Sequence, residues 1–170
     1  MGLINGTVIL EDNYESWKNM YEEEVNILKE IFKDEDFVYE HIGSTAVKGL
    51  PAKPIVDITI GVSSLNGIDK YLGMLSKLYT VKPNTEREEI LLIKEDEKET
   101  FFLVHIIPKN NSTFTNLIKF RDILNNNPDI LEEYKKLKTK LSKEYSDDRR
   151  MYTKSKNDFI QEVLKNTNNS

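Results

Sequence analysis

The sequence predicts an α+β fold: short strands gathered into a sheet, flanked by helices, with a helical C-terminal portion. Three observations predict it. Tyr14, Trp17, Tyr21, Val25, Leu28 and Phe32 recur at spacings of three and four, the stripe of an amphipathic helix. Residues 55–62 read Ile-Val-Asp-Ile-Thr-Ile-Gly-Val, a β-branched strand with one carboxylate in its middle. After residue 116 the apolar period is helical to the end, with no further strand pattern.

Taken in order, Asp12 followed by Glu15 resembles a capping box at the start of the first helix. A short extended stretch, Phe37 to His41, ends at Gly43-Ser44. Pro51 and Pro54 then punctuate a connection in which helix cannot persist, because the residue before a proline is pushed towards extended geometry. Beyond the strand at 55–62, Leu65 to Leu78 is expected to be a helix burying Ile68, Leu72, Leu75 and Leu78. Glu89 to Lys94 and Phe101 to Ile107 pair as a hairpin around the charged Glu95-Asp96-Glu97-Lys98-Glu99 turn. Three helices follow at Leu117–Leu124, Ile130–Lys143 and Tyr152–Leu164, the first two separated by Asn125-Asn126-Asn127-Pro128. Residues 166–170 read as a frayed tail, and no internal repeat is present.

A chain of 170 residues fits one domain, here 1–170, and such a domain buries roughly 70% of its unfolded surface. Hydrophobic residues make up 38% and charged residues 31%, the balance of a globular protein with a heavily charged surface. Cysteine is absent, which excludes disulfides and thiol nucleophiles and leaves a metal only oxygen or imidazole ligands. Residues 1–10 lack the basic start and apolar core of a signal peptide, and no 18-residue apolar run occurs, so a cytoplasmic location without membrane contact is expected. A net charge of −5 makes an extended nucleic-acid face an unfavourable expectation, though a local basic pocket stays open. Ser44 lacks the flanks of a nucleophile elbow, and no Gly-rich phosphate loop with Lys-Ser or Lys-Thr occurs.

The chemistry-bearing residues gather around Gly43-Ser44. A Gly-Ser pair at a strand end can aim backbone N–H groups at a phosphate. Twelve residues separate that pair from Asp57, whose carboxylate must face a cavity, a partner or an ion because it interrupts an apolar strand. This spacing resembles the signature of the DNA polymerase beta-like nucleotidyltransferase superfamily, in which a second acid follows two positions later. Thr59 stands there instead. Across nearly the whole chain a closer resemblance, to the GrpB family, is carried by Glu40-His41-Ile42-Gly43-Ser44-Thr45-Ala46-Val47, Ala52-Lys53-Pro54-Ile55-Val56-Asp57-Ile58, Val104-His105-Ile106, Phe120-Arg121-Asp122, and Tyr152-Thr153 with Lys156.

The resemblance implies a nucleotidyltransferase-like mixed sheet. It also implies that Gly43, Ser44 and Thr45, with the basic residues Lys53, Arg121, Lys138 and Lys156 at family positions, hold a nucleotide or phosphorylated small molecule. Asp57 and His105 are the expected catalytic pair and the expected ligands of a divalent metal, Mg²⁺ or Mn²⁺. His41 is a further metal candidate, Tyr134 and Tyr152 are base-stacking or core candidates, and Arg149-Arg150 reads as loop charge balance. The leading expectation is a metal-dependent nucleotidyltransferase with an unassigned acceptor. The alternative is a nucleotide- or metabolite-binding module without catalysis. Convergence of a further carboxylate, Glu40 or Glu89, on Asp57 discriminates between them.

Overall fold

The structure, a computed structural model, describes residues 2–33 and 35–168. The elements in chain order are β1 (Leu3–Ile4), α1 (Tyr14–Phe32), β2 (Val38–Ile42), a 3₁₀ turn (Ser44–Ala46), β3 (Val56–Val62), a 3₁₀ segment (Leu65–Tyr71) running into α2 (Leu72–Leu75), β4 (Thr80–Asn84), β5 (Glu89–Glu95), β6 (Glu99–Pro108), α3 (Ser112–Asn126), α4 (Pro128–Glu144) and α5 (Arg149–Asn168). The sheet order is β2-β3-β6-β5-β4, with β1 also paired to β6. β3 and β6 run parallel and the other pairs antiparallel, so the sheet is mixed. This is the expected α+β arrangement, a mixed sheet flanked by helices with a helical C-terminal portion, and it places the Gly43-Ser44 pair at the end of β2 with Asp57 on the adjacent strand.

Strand alternation divides the sheet into two faces with different chemistry. Val56, Ile58, Ile60 and Val62 on β3 and Phe102, Val104 and Ile106 on β6 pack with Trp17, Val25, Leu28 and Phe32 of α1 in one core. Each such fully buried side chain contributes about 1.5–3 kcal/mol relative to exposure. The intervening residues Asp57, Thr59, Leu103 and His105 point to the opposite face. α3, α4 and α5 gather on that side around Phe120, Tyr134, Val163 and Leu164, together with Val47 and Leu50 from the loop after β2. Asn127 precedes α4 with Pro128 in its first turn, where a missing N–H costs nothing.

Several local expectations are corrected. Asn13, not Asp12, caps α1, and it makes no side-chain cap bond. Glu15 therefore falls at the second helical position, one short of the register a capping box needs. Residues 65–75 wind as 3₁₀ helix with a single α turn, not as a continuous helix to Leu78. Gly67 and Gly73 weaken the α-helix here. Ile68 and Leu75 are buried, Leu72 only partly, and Leu78 is exposed while Tyr79 enters the core. β4 was not expected. It lies at the sheet edge, is largely exposed and contains Pro83, so it carries little apolar alternation. Residues 166–168, expected in the tail, continue α5, while Asn169 and Ser170 lie outside the described residues.

Candidate functional site

The polar face of the sheet and the three C-terminal helices enclose a pocket of about 560 Å³. Its sheet wall is built by register. Asp57 lies opposite Leu103 and Thr59 opposite His105, so Asp57 and His105 are neighbours offset by two residues on one face. His105 in turn lies opposite Leu91, which puts Glu89, two residues earlier on β5, on the same face. The result is a row across three strands. Glu89 pairs with Nδ1 of His105, and Nε2 of His105 stands 3.5 Å from Oδ1 of Asp57.

This row fixes the charge on the imidazole. Burial would lower His105, but the carboxylates of Asp57 and Glu89 outweigh burial and push it up to about 9, so it is an imidazolium at neutral pH. The same contact holds the Glu89 carboxyl below its usual range. Thr59, at the superfamily's second-acid position, is fully buried and donates its hydroxyl to the His105 carbonyl at 3.1 Å. Glu89 converges on Asp57 only through His105. Glu40 is held elsewhere, 2.6 Å from Arg121.

Facing the row are cations. Lys53, Lys138, Arg149 and Lys156 all line the pocket. Lys138 is 1% exposed, and its ammonium lies 5.6 Å from the centre of the Tyr134 ring. Lys53 and Lys156 both lie over the Tyr152 ring, at 5.2 and 4.6 Å. No hydrogen bond or ion pair to an anionic side chain neutralises any of the four among the described residues. Burial, the Lys156 and Arg149 charges push Lys53 down to about 7, with Asp57 opposing. Burial lowers Lys156 to about 8 against the pull of Asp57. Lys138 falls well below the usual lysine value because of burial and the charges of Lys156 and Lys53. Burial lowers Arg149 as well.

Gly43, Ser44 and Thr45 form the rim at the end of β2. Gly43 has φ +72°, and a Cβ there would lie 2.9 Å from Oδ2 of Asp57, so both the backbone conformation and the close approach require glycine. Ser44 and Tyr134 both line the pocket. Thr45 is buried, with its hydroxyl 2.9 Å from Nε2 of His41. His41 stacks on Tyr21 at 4.8 Å, and burial holds it down to about 4, so it is a neutral structural residue.

Sequence reasoning misplaced two arginines. Arg121 does not line the pocket. Its guanidinium is committed to Glu40, the His41 carbonyl at 2.8 Å and Asp122, tying α3 to β2. Arg149, read as loop charge balance, lines the pocket from the first turn of α5. The signal that could have found it is helical: Arg149, Thr153, Asn157 and Ile160 share one face of α5 with the pocket residue Lys156. Tyr134 also lines the pocket, whereas Tyr152 is a fully buried platform beneath two of its lysines.

A divalent metal would have to be held by Asp57 and His105, and these residues fit such an ion poorly. No group of three His, Cys, Asp or Glu side chains able to hold a metal occurs among the described residues. Asp57 faces several cations rather than other acids.

Fold and pocket together define an α+β domain with a mixed sheet, whose polar face carries the Glu89–His105–Asp57 row opposite a group of basic side chains. Residues 7–166 match the family described as GrpB protein, and the chain belongs to the GrpB family. It is 31% identical to the glutamate-rich protein GrpB of Alkalihalophilus pseudofirmus, over 96% of this chain and 98% of that one. It superposes on the crystal structure of the conserved protein GrpB from Enterococcus faecalis with a TM-score of 0.85 and 29% identity, covering 93% of this chain and 96% of that one. The UPF0157 protein YqkA of Bacillus subtilis is 29% identical over 89% of this chain, which spans 45% of YqkA's length. No helix among the described residues is long and apolar enough to cross a membrane.

Proposed function

We propose that the pocket binds the phosphate of a nucleotide or other phosphorylated small molecule, and that it does so with protein cations rather than a divalent metal. The observation that carries this reading is the convergence of Lys53, Lys138, Lys156 and Arg149 on one pocket in which Asp57 is the facing carboxylate. Buried ammonium groups without anionic partners are expensive, and a phosphate dianion would remove that cost by charge-assisted hydrogen bonds. The apolar wall of Leu117, Phe120, Ile160 and Leu164 offers a surface for the organic part of the ligand. Asp57 and the His105 imidazolium then act as an internal ion pair that shapes the floor. Among the described residues lining the pocket, Asp57 is the sole carboxylate, which favours binding over a transfer step.

The test is thermal stability of the wild type with pyrophosphate, ATP, GTP, CTP and UTP, each in EDTA. A ligand at a hundredfold excess over its dissociation constant stabilises by about 2.7 kcal/mol, a shift of roughly 5–11 °C for a domain of this size. A rise in EDTA that is absent in Lys138→Met supports the reading. Stabilisation that appears only with Mg²⁺, or none with any phosphate ligand, rejects it.

A further inference from the structure

The basic character does not stop at the pocket. A second, open groove of about 770 Å³ is lined by Arg87, Arg149, Arg150, Thr153, Lys154 and Asn157. Four of these six side chains are cationic and none is acidic. Three of them, Arg149, Thr153 and Asn157, also line the pocket. They lie at intervals of four along α5 and form a single row on the helix surface, the common wall of pocket and groove. Arg150 and Lys154, the adjoining row, face the groove alone. Another surface groove, on α4, shows what an ordinary solvated lysine face looks like here: Lys135, Lys136, Lys140 and Lys143 are interspersed with Glu132 and Glu144, and no residue of it reaches the pocket.

From this continuity we infer that the groove is a second anion subsite, occupied by the next phosphate groups of a polyphosphorylated ligand whose first phosphate sits in the pocket. The inference rests on the phosphate-binding reading above. Arg149 is the junction, since its guanidinium borders both spaces and its fork suits bridging two phosphate groups. Arg150, Lys154 and Arg87 then hold the chain beyond it. Thr153 and Asn157, uncharged donors on the shared row, line the crossing. The ligand class this selects is a small molecule with a linear phosphate chain. A monophosphate would leave the outer cations unused.

The test measures binding of inorganic phosphate, pyrophosphate and tripolyphosphate by calorimetry in EDTA at constant ionic strength. Wild type, Arg150→Gln/Lys154→Gln and a control, Lys136→Gln/Lys140→Gln, are compared. The expected result is at least a tenfold gain in affinity from phosphate to tripolyphosphate in wild type and control, reduced to threefold or less in the groove variant, with phosphate itself bound equally by all three. A flat series in the wild type, or an undiminished gain in the groove variant, overturns the second subsite while leaving the pocket in place. Failure of all three anions to bind overturns the pocket reading and the subsite together.

Discussion

Replacing Glu89 by Gln should lower the pKa of His105 by about 1–2 units, because it removes one of the two carboxylates that hold the imidazolium while keeping the shape of the pair. The wild-type value of about 9 against an ordinary 6.5 corresponds to about 3 kcal/mol of preference for the charged ring. As a folded-state value that is raised, it contributes stability fully present below pH 6.5 and lost as pH rises through 9. Lys53 and Lys156 work in the opposite direction over much of the same range. Their folded values, about 7 and 8, lie below the ordinary 10.5, so the unfolded chain binds more protons there and stability gains with pH. Global unfolding would therefore blur the effect, and the direct assay is an NMR titration of the imidazole protons. The chain has two histidines, and their values of about 9 for His105 and about 4 for His41 keep their titrations apart. A wild-type His105 midpoint near or below 6.5, or a midpoint that Glu89→Gln moves by less than about half a unit, would refute the reasoning.

Other outcomes follow from the same charges. Lys138→Met should stabilise the ligand-free protein by about 1–3 kcal/mol in chemical denaturation, since it replaces a buried, unpaired amine with an apolar side chain of similar length, while weakening pyrophosphate binding at least tenfold. Arg121→Ala should cost roughly 1–3 kcal/mol of stability by freeing Glu40 and the His41 carbonyl, yet leave pyrophosphate affinity within twofold, as calorimetry would show. Pyrophosphate affinity should fall as pH rises through 7 to 8, where Lys53 and Lys156 lose their protons, and binding near pH 8 should take up protons, read as a buffer-dependent heat.

Much of the fold was legible in local pattern. The α1 stripe and the β5–β6 hairpin declared themselves because each buries one face and burial imposes a period, whereas β3, buried on both faces, declared itself by its β-branched run. β4 did not, because an edge strand with Pro83 and exposed side chains carries no such period. The 65–78 segment misled because apolar spacing fits 3₁₀ and α winding alike over so short a run. At the site, Asp57, Lys53, Lys138, His105 and Lys156 were named from the sequence, but their meaning depended on register. Only the pairing of Leu91 with His105 brings Glu89 to the imidazole, and that contact, with Asp57, raises His105 above the ordinary histidine value. That Arg149 lines the pocket and Arg121 does not was not legible, because a charged residue on a helix has no sequence mark telling pocket from surface.

The central claim, a phosphate pocket that uses protein cations in place of a metal, is tested most directly by calorimetric titration of pyrophosphate into wild type and Asp57→Asn, each in EDTA and again with Mg²⁺. The account predicts binding in EDTA, little gain from Mg²⁺, and affinity in Asp57→Asn equal to or tighter than wild type, because a competing negative charge has left the pocket. Binding that requires Mg²⁺ and disappears in Asp57→Asn would contradict it.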